Sequence, residues 1–195
     1  MYKLVGTLKS RTMRVVWLLE ELETAYEYVP APPRSPLVMS LSPTGKIPVL
    51  VHDKSVITDS TAILTYLADR HGMFIAIAGT LVRARQDALT FRILDEIDSV
   101  LWTAARHSFI LPKEMRVPEI KPSLKHEYAA SLERLGALIK GTYLMDDEFT
   151  IADIILTHCC GWADNAGFPQ APESVRSYLA RTRARPAYQR ALAKE

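Results

Sequence analysis

Residues 42–60 read SPTGKIPVLVHDKSVITDS, and how this stretch is parsed decides the fold. Ile47, Val49, Leu50 and Val51, then Val56 and Ile57, are the aliphatic and β-branched types that suit a pleated, half-buried surface. The two runs flank HDKS, a turn of hairpin type. Pro48 sits inside the first run, where a residue without an N–H is confined to a strand start, an edge or a bulge. It also presses Ile47 toward extended backbone. Two states stay open for the Ile47–Pro48 bond. The base rate favours trans, a plain strand start. A cis bond, found in about 5–6% of X–Pro pairs, would turn the amide and carbonyl of Ile47 outward to pair with an extended ligand. The stretch ends in TDS, directly before TAILTYLADRHG, so Asp59 and Ser60 stand at the mouth of a helix that Gly72 stops.

Upstream, YKLVG reads as a strand and TMRVVWLLEELE as a helix, with Val15, Leu18, Leu19 and Leu22 on one face and acids on the far face. YEYV alternates like a strand and ends at Pro30, and APPRSP is a loop. The order is β-α-β-(loop or short helix)-β-β-α. A strand, crossover helix and strand predict a parallel pair, to which the hairpin adds antiparallel strands. Downstream the pattern is wholly helical. LVRARQDALTFRILDEIDSVLWTAARH is one long repeat with Ala84, Leu89, Ile93, Ile97, Val100 and Leu101 inward. Pro112, Pro118 and Pro122 punctuate a loop, and LKHEYAASLERLGALIKG follows, ending at Gly141. FTIADIILTHCCGWADNAG is apolar enough to be the central helix, and one or two terminal helices surround Pro186. A border within GMFIAIAGT divides the chain into residues 1–72 and 81–195.

The 195 residues, 48% of them hydrophobic, suffice for one sizeable core or two small ones. With 24 Lys and Arg against 22 Asp and Glu, a net charge of +2 predicts neither nucleic-acid nor membrane binding. Arg176, Arg181, Arg183, Arg185 and Arg190 read as a solvated helix face rather than a polyanion site. The two cysteines, Cys159 and Cys160, are adjacent and point roughly 100° apart on a helix, so they do not pair easily. There is no CxxC and no His/Cys zinc spacing, and Asp95, Glu96 and Asp98 read as a solvated face rather than a metal site. No apolar signal core opens the chain and no run reaches membrane-spanning length, so a soluble, cytoplasmic protein without a metal is expected.

Three constellations carry chemistry. At Asp59 and Ser60 a serine cap worth about 1 kcal/mol and a carboxylate against the helix dipole account for both residues without a ligand. The functional alternative is that helix-terminal amides bind a carboxylate while Asp59 takes an ammonium, together recognising an α-amino acid head group. At GTLKSRTMR, residues 6–14, the hydroxyls of Thr7, Ser10 and Thr12 either cap the next helix or, with its amides, steady a thiolate. No His or Asp lies nearby in sequence to make Ser10 a nucleophile, so it reads as a hydrogen-bond donor. FTIAD is a capping box of Thr150 and Asp153, with Phe149 and Ile154 as its hydrophobic staple.

In this order, SRTMRVVWLLEEL, SPTGKIPVL, ITDSTAILTYLADRHG and FTIADIILTHCCGWADNAGFP resemble the cytosolic glutathione S-transferase family over essentially the whole chain, in a bacterial-looking version. The resemblance implies an α+β/α architecture: a thioredoxin-like N-terminal domain followed by an all-helical domain, usually in a homodimer. It implies glutathione as cosubstrate, conjugated to a small apolar electrophile, as in detoxification. A glutathione-dependent peroxide or disulfide reductase, or a non-catalytic dimerisation module on the same fold, are the alternatives. Pro48 matches the family's cis-proline, with Ile47 pairing to the cysteinyl part of glutathione. Asp59 and Ser60 match the acid–serine pair that holds the γ-glutamyl head, and Lys46 lies where a side chain often reaches the glycine carboxylate. Ser10 matches the hydroxyl of serine-type classes, with Thr7 and Thr12 as alternatives; no tyrosine or cysteine stands there. Leu8, Trp102, Arg106, Phe109 and Trp162 are the expected electrophile walls, between the domains. For the dimer, RARQDALTFRILDEID is expected to supply a mixed, mostly charged interface.

Overall fold

The computed structural model describes residues 1–194. Its first elements are β1 (Tyr2–Gly6), α1 (Met13–Glu21), β2 (Tyr26–Pro30), α2 (Pro36–Leu41), β3 (Val49–His52), β4 (Ser55–Thr58) and α3 (Ser60–His71). The sheet order is β2-β1-β3-β4. β1 runs parallel to β2 and antiparallel to β3, and β3 antiparallel to β4. The crossover through α1 and the tight turn at Asp53–Lys54 produce these two directions, as the sequence predicts. The first ladder residue of the hairpin is Val49, so Ile47 and Pro48 precede the strand instead of belonging to it. Along β1 only Lys3 escapes full burial, as expected for a central strand covered on both faces. Val5 and Val49, paired across the ladder, pack with Ala31 and Val38 on one face. Alternation turns Leu4 and Leu50 to the other.

The helical part comprises α4 (Leu81–Ile93), α5 (Ser99–Ala105), α6 (Lys121–Gly136), α7 (Ile151–Asn165), α8 (Glu173–Arg183) and α9 (Pro186–Leu192), with wider π-type turns at Leu94–Asp98 and Arg106–Ile110. α6 begins three residues earlier than its apolar pattern suggests, because Pro122 takes a first-turn position where its missing N–H is harmless. α7 is buried along most of its length. The inward stripe of α4 corrects one expectation. Ala84 is exposed and Leu89 only half-buried, while Gln86 and Thr90 are buried in line with Ile93 and Ile97. Asp98 is likewise buried, 3.6 Å from Cys159 Sγ, so the acidic run is not wholly a solvated face.

The described residues form two compact units, 1–78 with 183–194, and Gly79–Thr182. The helical unit therefore stops before α9, which packs on α1 of the first unit. Arg185 grips Glu21 through two bonds of 2.6 and 2.8 Å, Arg190 and Lys194 reach Glu20 at 3.1 and 3.2 Å, and Tyr188 meets Trp17 edge-on at 4.7 Å. The acids of α1 and these arginines are thus each other's partners across 164–170 residues of chain, not two separate solvated faces. Among the described residues no helix is long and apolar enough to cross a membrane.

Candidate functional site

α3 begins at an unusual residue. Asp59 has φ 72° and ψ 125°, a backbone conformation that non-glycine residues rarely adopt and that costs on the order of 1–3 kcal/mol. The twist lets its own carboxylate cap the helix: Oδ1 accepts from the amides of Thr61 at 2.9 Å and Ala62 at 3.0 Å. The cap is therefore Asp59, not Ser60. These two amides are already satisfied, so an incoming carboxylate would meet the Ser60 hydroxyl rather than a row of free helix amides. Asp59 is exposed, and its Oδ2 has no hydrogen-bond partner among the described residues. Ser60 is buried directly behind it.

Behind Ser60 lies a residue to which the sequence reading gave no role. The guanidinium of Arg14 is fully buried, with Nη1 3.4 Å from Ser60 Oγ. It ties the start of α1 to the start of α3. The only signal for it in the sequence is a charge set into the apolar run Met13–Leu19.

At the other helix mouth Ser10 has extended backbone (φ −143°, ψ −174°), and its Oγ accepts from the amide of Thr12 at 3.1 Å. That is N-cap geometry. Its hydroxyl donates to Thr7 O at 2.6 Å and lies 2.9 Å from Thr12 Oγ1. Thr12 is wholly buried; a Cβ at Gly6 would stand 2.1 Å from its Oγ1, so the end of β1 needs glycine to pass it. Ser10 and Thr7 remain partly exposed.

The peptide bond between Ile47 and Pro48 is cis. Pro48 is buried and Ile47 half-buried, one residue ahead of the ladder, and Lys46 is exposed, its amide 3.4 Å from Thr44 Oγ1. The fold thus holds Ser10, Lys46, Ile47, Pro48, Asp59 and Ser60 on loops and helix mouths of one unit. Chemically the set offers an exposed carboxylate without a counter-cation among the described residues, two hydroxyls at helix starts, and an exposed ammonium.

The expected electrophile walls do not form one group within either unit. Leu8 belongs to the first unit. In the helical unit Phe109 and Trp162 line a cavity of about 210 Å³, whereas Trp102 and Arg106 lie outside its lining. Arg106 Nη2 donates to Thr103 Oγ1 at 2.9 Å, and its Nε is buried without a partner among the described residues. Among those residues no group of three His, Cys, Asp or Glu is placed to hold a metal ion.

Residues 4–74 match the family model described as glutathione S-transferase, N-terminal domain. The chain is similar to glutathione S-transferase 3 of Schizosaccharomyces pombe, 42% identical over 67 residues; the match covers 32% of this chain and spans only 28% of that relative's length. It is similar over most of both lengths to glutathione S-transferase 3 of Zea mays, 28% identical over 212 residues, covering 98% of this chain and 93% of the relative. Its fold matches that of BphK, a bacterial glutathione S-transferase solved as a ternary complex, with a TM-score of 0.86 at 20% identity over 98% of each chain.

Proposed function

We propose that this chain, whose N-terminal domain and fold are those of the glutathione S-transferase family, is a glutathione transferase that conjugates the thiol of glutathione to a small apolar electrophile. One observation carries the reading: Asp59 spends one carboxylate oxygen on capping α3 and leaves the other without a partner, beside the hydroxyl of Ser60. A carboxylate so divided suits an ammonium, and the adjacent hydroxyl suits the carboxylate of the same amino-acid head. In this reading the γ-glutamyl end of glutathione lies on Asp59 and Ser60, the cysteinyl backbone along Ile47 ahead of Pro48, and the glycine carboxylate toward Lys46. Arg14 positions Ser60 from behind.

Ser10 faces the thiol. A free thiol with a pKa of ~8.5 is mostly protonated at neutral pH, and lowering it by one to two units needs roughly 1.4–2.7 kcal/mol of thiolate stabilisation. One charge-assisted hydrogen bond supplies that amount. To give it, the Ser10 hydroxyl turns from Thr7 O to the sulfur while its oxygen keeps the amide of Thr12. The burial of Thr12 favours Ser10 over it as the donor. Proton release from the thiol, attack of sulfur on the electrophilic carbon and departure of the leaving group complete the step.

The test is calorimetric titration with glutathione. Asparagine caps helices as well as aspartate and tolerates positive φ. Asp59→Asn therefore keeps the fold and is expected to lose roughly 1.5–3 kcal/mol of glutathione affinity, the range for a hydrogen bond to a charged group. Unchanged affinity in the folded variant would remove the head-group assignment. The chain also presents Ile77 (80% exposed), Leu81 (81%) and Phe91 (63%) at its surface. In a homodimer these side chains would make the contact more apolar than the charged one expected from sequence.

A further inference from the structure

The segment joining α5 to α6 holds its apolar side chains outward. Phe109 is 65% exposed, Ile110 42%, Met115 63% and Val117 49%, four large apolar residues within nine positions. The segment is folded, not slack. Leu111 N donates to Arg106 O at 3.0 Å, Arg116 Nε to Leu111 O at 2.9 Å, and Val117 N to His107 Nδ1 at 3.0 Å. Single turns at Lys113–Met115 and Pro118–Ile120 take up the rest, and Pro112, Pro118 and Pro122 each fix a backbone angle. The charge around this apolar tip is one-sided. Residues 106–125 carry Arg106, Lys113, Arg116, Lys121 and Lys125 against only Glu114 and Glu119, a surplus of three where the whole chain has +2. The near-neutral total therefore hides a local cationic excess, set around exposed apolar side chains.

We propose that this loop docks the protein, reversibly and peripherally, on an anionic lipid surface. Phe109, Ile110, Met115 and Val117 enter the boundary between headgroups and acyl chains, and Lys113, Arg116 and Lys121 meet the lipid phosphates around them. A soluble polyanion would satisfy the bases and leave the four apolar side chains in water. An apolar protein groove would cover those side chains and leave the charge unbalanced. A phosphate-rich headgroup layer over hydrocarbon satisfies both. The contact is interfacial, because the loop is far too short to span a bilayer. It lies wholly within the Gly79–Thr182 unit and uses none of Ser10, Lys46, Ile47, Pro48, Asp59 or Ser60, so it stands whether or not glutathione binds. On the function proposed above, docking would bring the protein to the phase in which small apolar electrophiles accumulate.

The test is cosedimentation of the intact chain with sucrose-loaded vesicles, either phosphatidylcholine alone or an equimolar mixture with phosphatidylglycerol. Binding to the anionic vesicles should exceed that to the neutral ones by on the order of a hundredfold, about fivefold for each surplus charge. Added salt should weaken it. Lys113→Gln with Lys121→Gln should lower it roughly 25-fold on the same scale. Ile110→Ser with Met115→Ser, both at exposed positions, should keep the native circular dichroism and lower binding at least about tenfold. A label then shows which part of the protein meets the lipid. Cys159 and Cys160 are buried, so an environment-sensitive fluorophore goes to the new thiol of Met115→Cys. Its emission should shift to the blue on anionic vesicles. The same label at Glu133→Cys, exposed and about 18 Å along α6 from Lys121, should not shift. Equal binding to both vesicles, anionic binding that survives the Ile110→Ser, Met115→Ser variant, or an unshifted label at position 115 would each overturn the proposal. A soluble partner or a second copy of the chain on this loop predicts no vesicle binding at all, and that result would overturn it too.

Discussion

Asp59 caps α3 and, in the function proposed above, also meets the ammonium of glutathione, and substitutions separate the two roles. Asp59→Ala removes both the α3 cap, about 1 kcal/mol of stability, and the proposed partner of the ammonium. Asp59→Asn removes chiefly the charge. Comparing their unfolding midpoints with their glutathione affinities therefore divides structure from binding. Ser10 calls for the same care, because its oxygen caps α1 through the amide of Thr12. Ser10→Ala is expected to cost about 1 kcal/mol in unfolding. It should leave glutathione affinity nearly intact, lower turnover about ten- to a hundredfold, and move the ionisation of the bound thiol, read as thiolate absorbance, up by about one to two units. If that titration moves with Thr7→Ala instead, Thr7 is the donor. Three polar residues ahead of an apolar repeat marked these helix mouths in the sequence. Which residue caps was not legible, because it turns on a single backbone angle at Asp59. Nor was the role of Arg14, whose neighbour Ser60 lies 46 residues away.

Elements whose signal is local and periodic were legible: β1, α1, the β3–β4 hairpin, α3 and α7 fall where alternation, helical spacing and the Asp53–Lys54 turn put them. At the head of α7, Asp153 accepts from Thr150 N at 2.8 Å, Leu144 N at 3.0 Å and Tyr178 Oη at 2.9 Å. Only the Thr150 bond was legible, since the others come from chain 9 and 25 residues away. The docking of α9 on α1 was hidden for the same reason. It has a pH signature. Burial alone would raise the Glu20 carboxyl, but hydrogen bonds from Tyr26, Lys194 and Arg190 outweigh it and hold the group below its ordinary value. A lowered folded pKa stabilises the fold above the unfolded pKa of ~4.3 and stops doing so as pH falls through the folded value. The stability gap between the native chain and Glu20→Gln, on the order of 1–2 kcal/mol from charge-assisted bonds, should thus be full at pH 7 and close below about pH 4. Denaturant unfolding at a series of pH values measures it. A gap that stays the same from pH 7 into acid would mean that the α9 contacts do not depend on the charge.

For the whole molecule, the proposed homodimer is open to direct test. Sedimentation at micromolar concentration is expected to report a dimer, and Leu81→Glu with Phe91→Glu a monomer that keeps the native circular dichroism, because both positions are exposed in the single chain. A native chain that sediments as a monomer would set the homodimer aside. The docking of α9 also orders events in time. The first unit is completed by residues that the ribosome adds only after roughly a hundred residues of the helical unit; at about 5–20 residues per second, that is a wait of roughly 5–20 s. Throughout it Trp17, Glu20 and Glu21 lack their final cover. A nascent chain stalled or clipped before Arg185 would keep that face bare, making it a natural mark for chaperones and quality-control proteases.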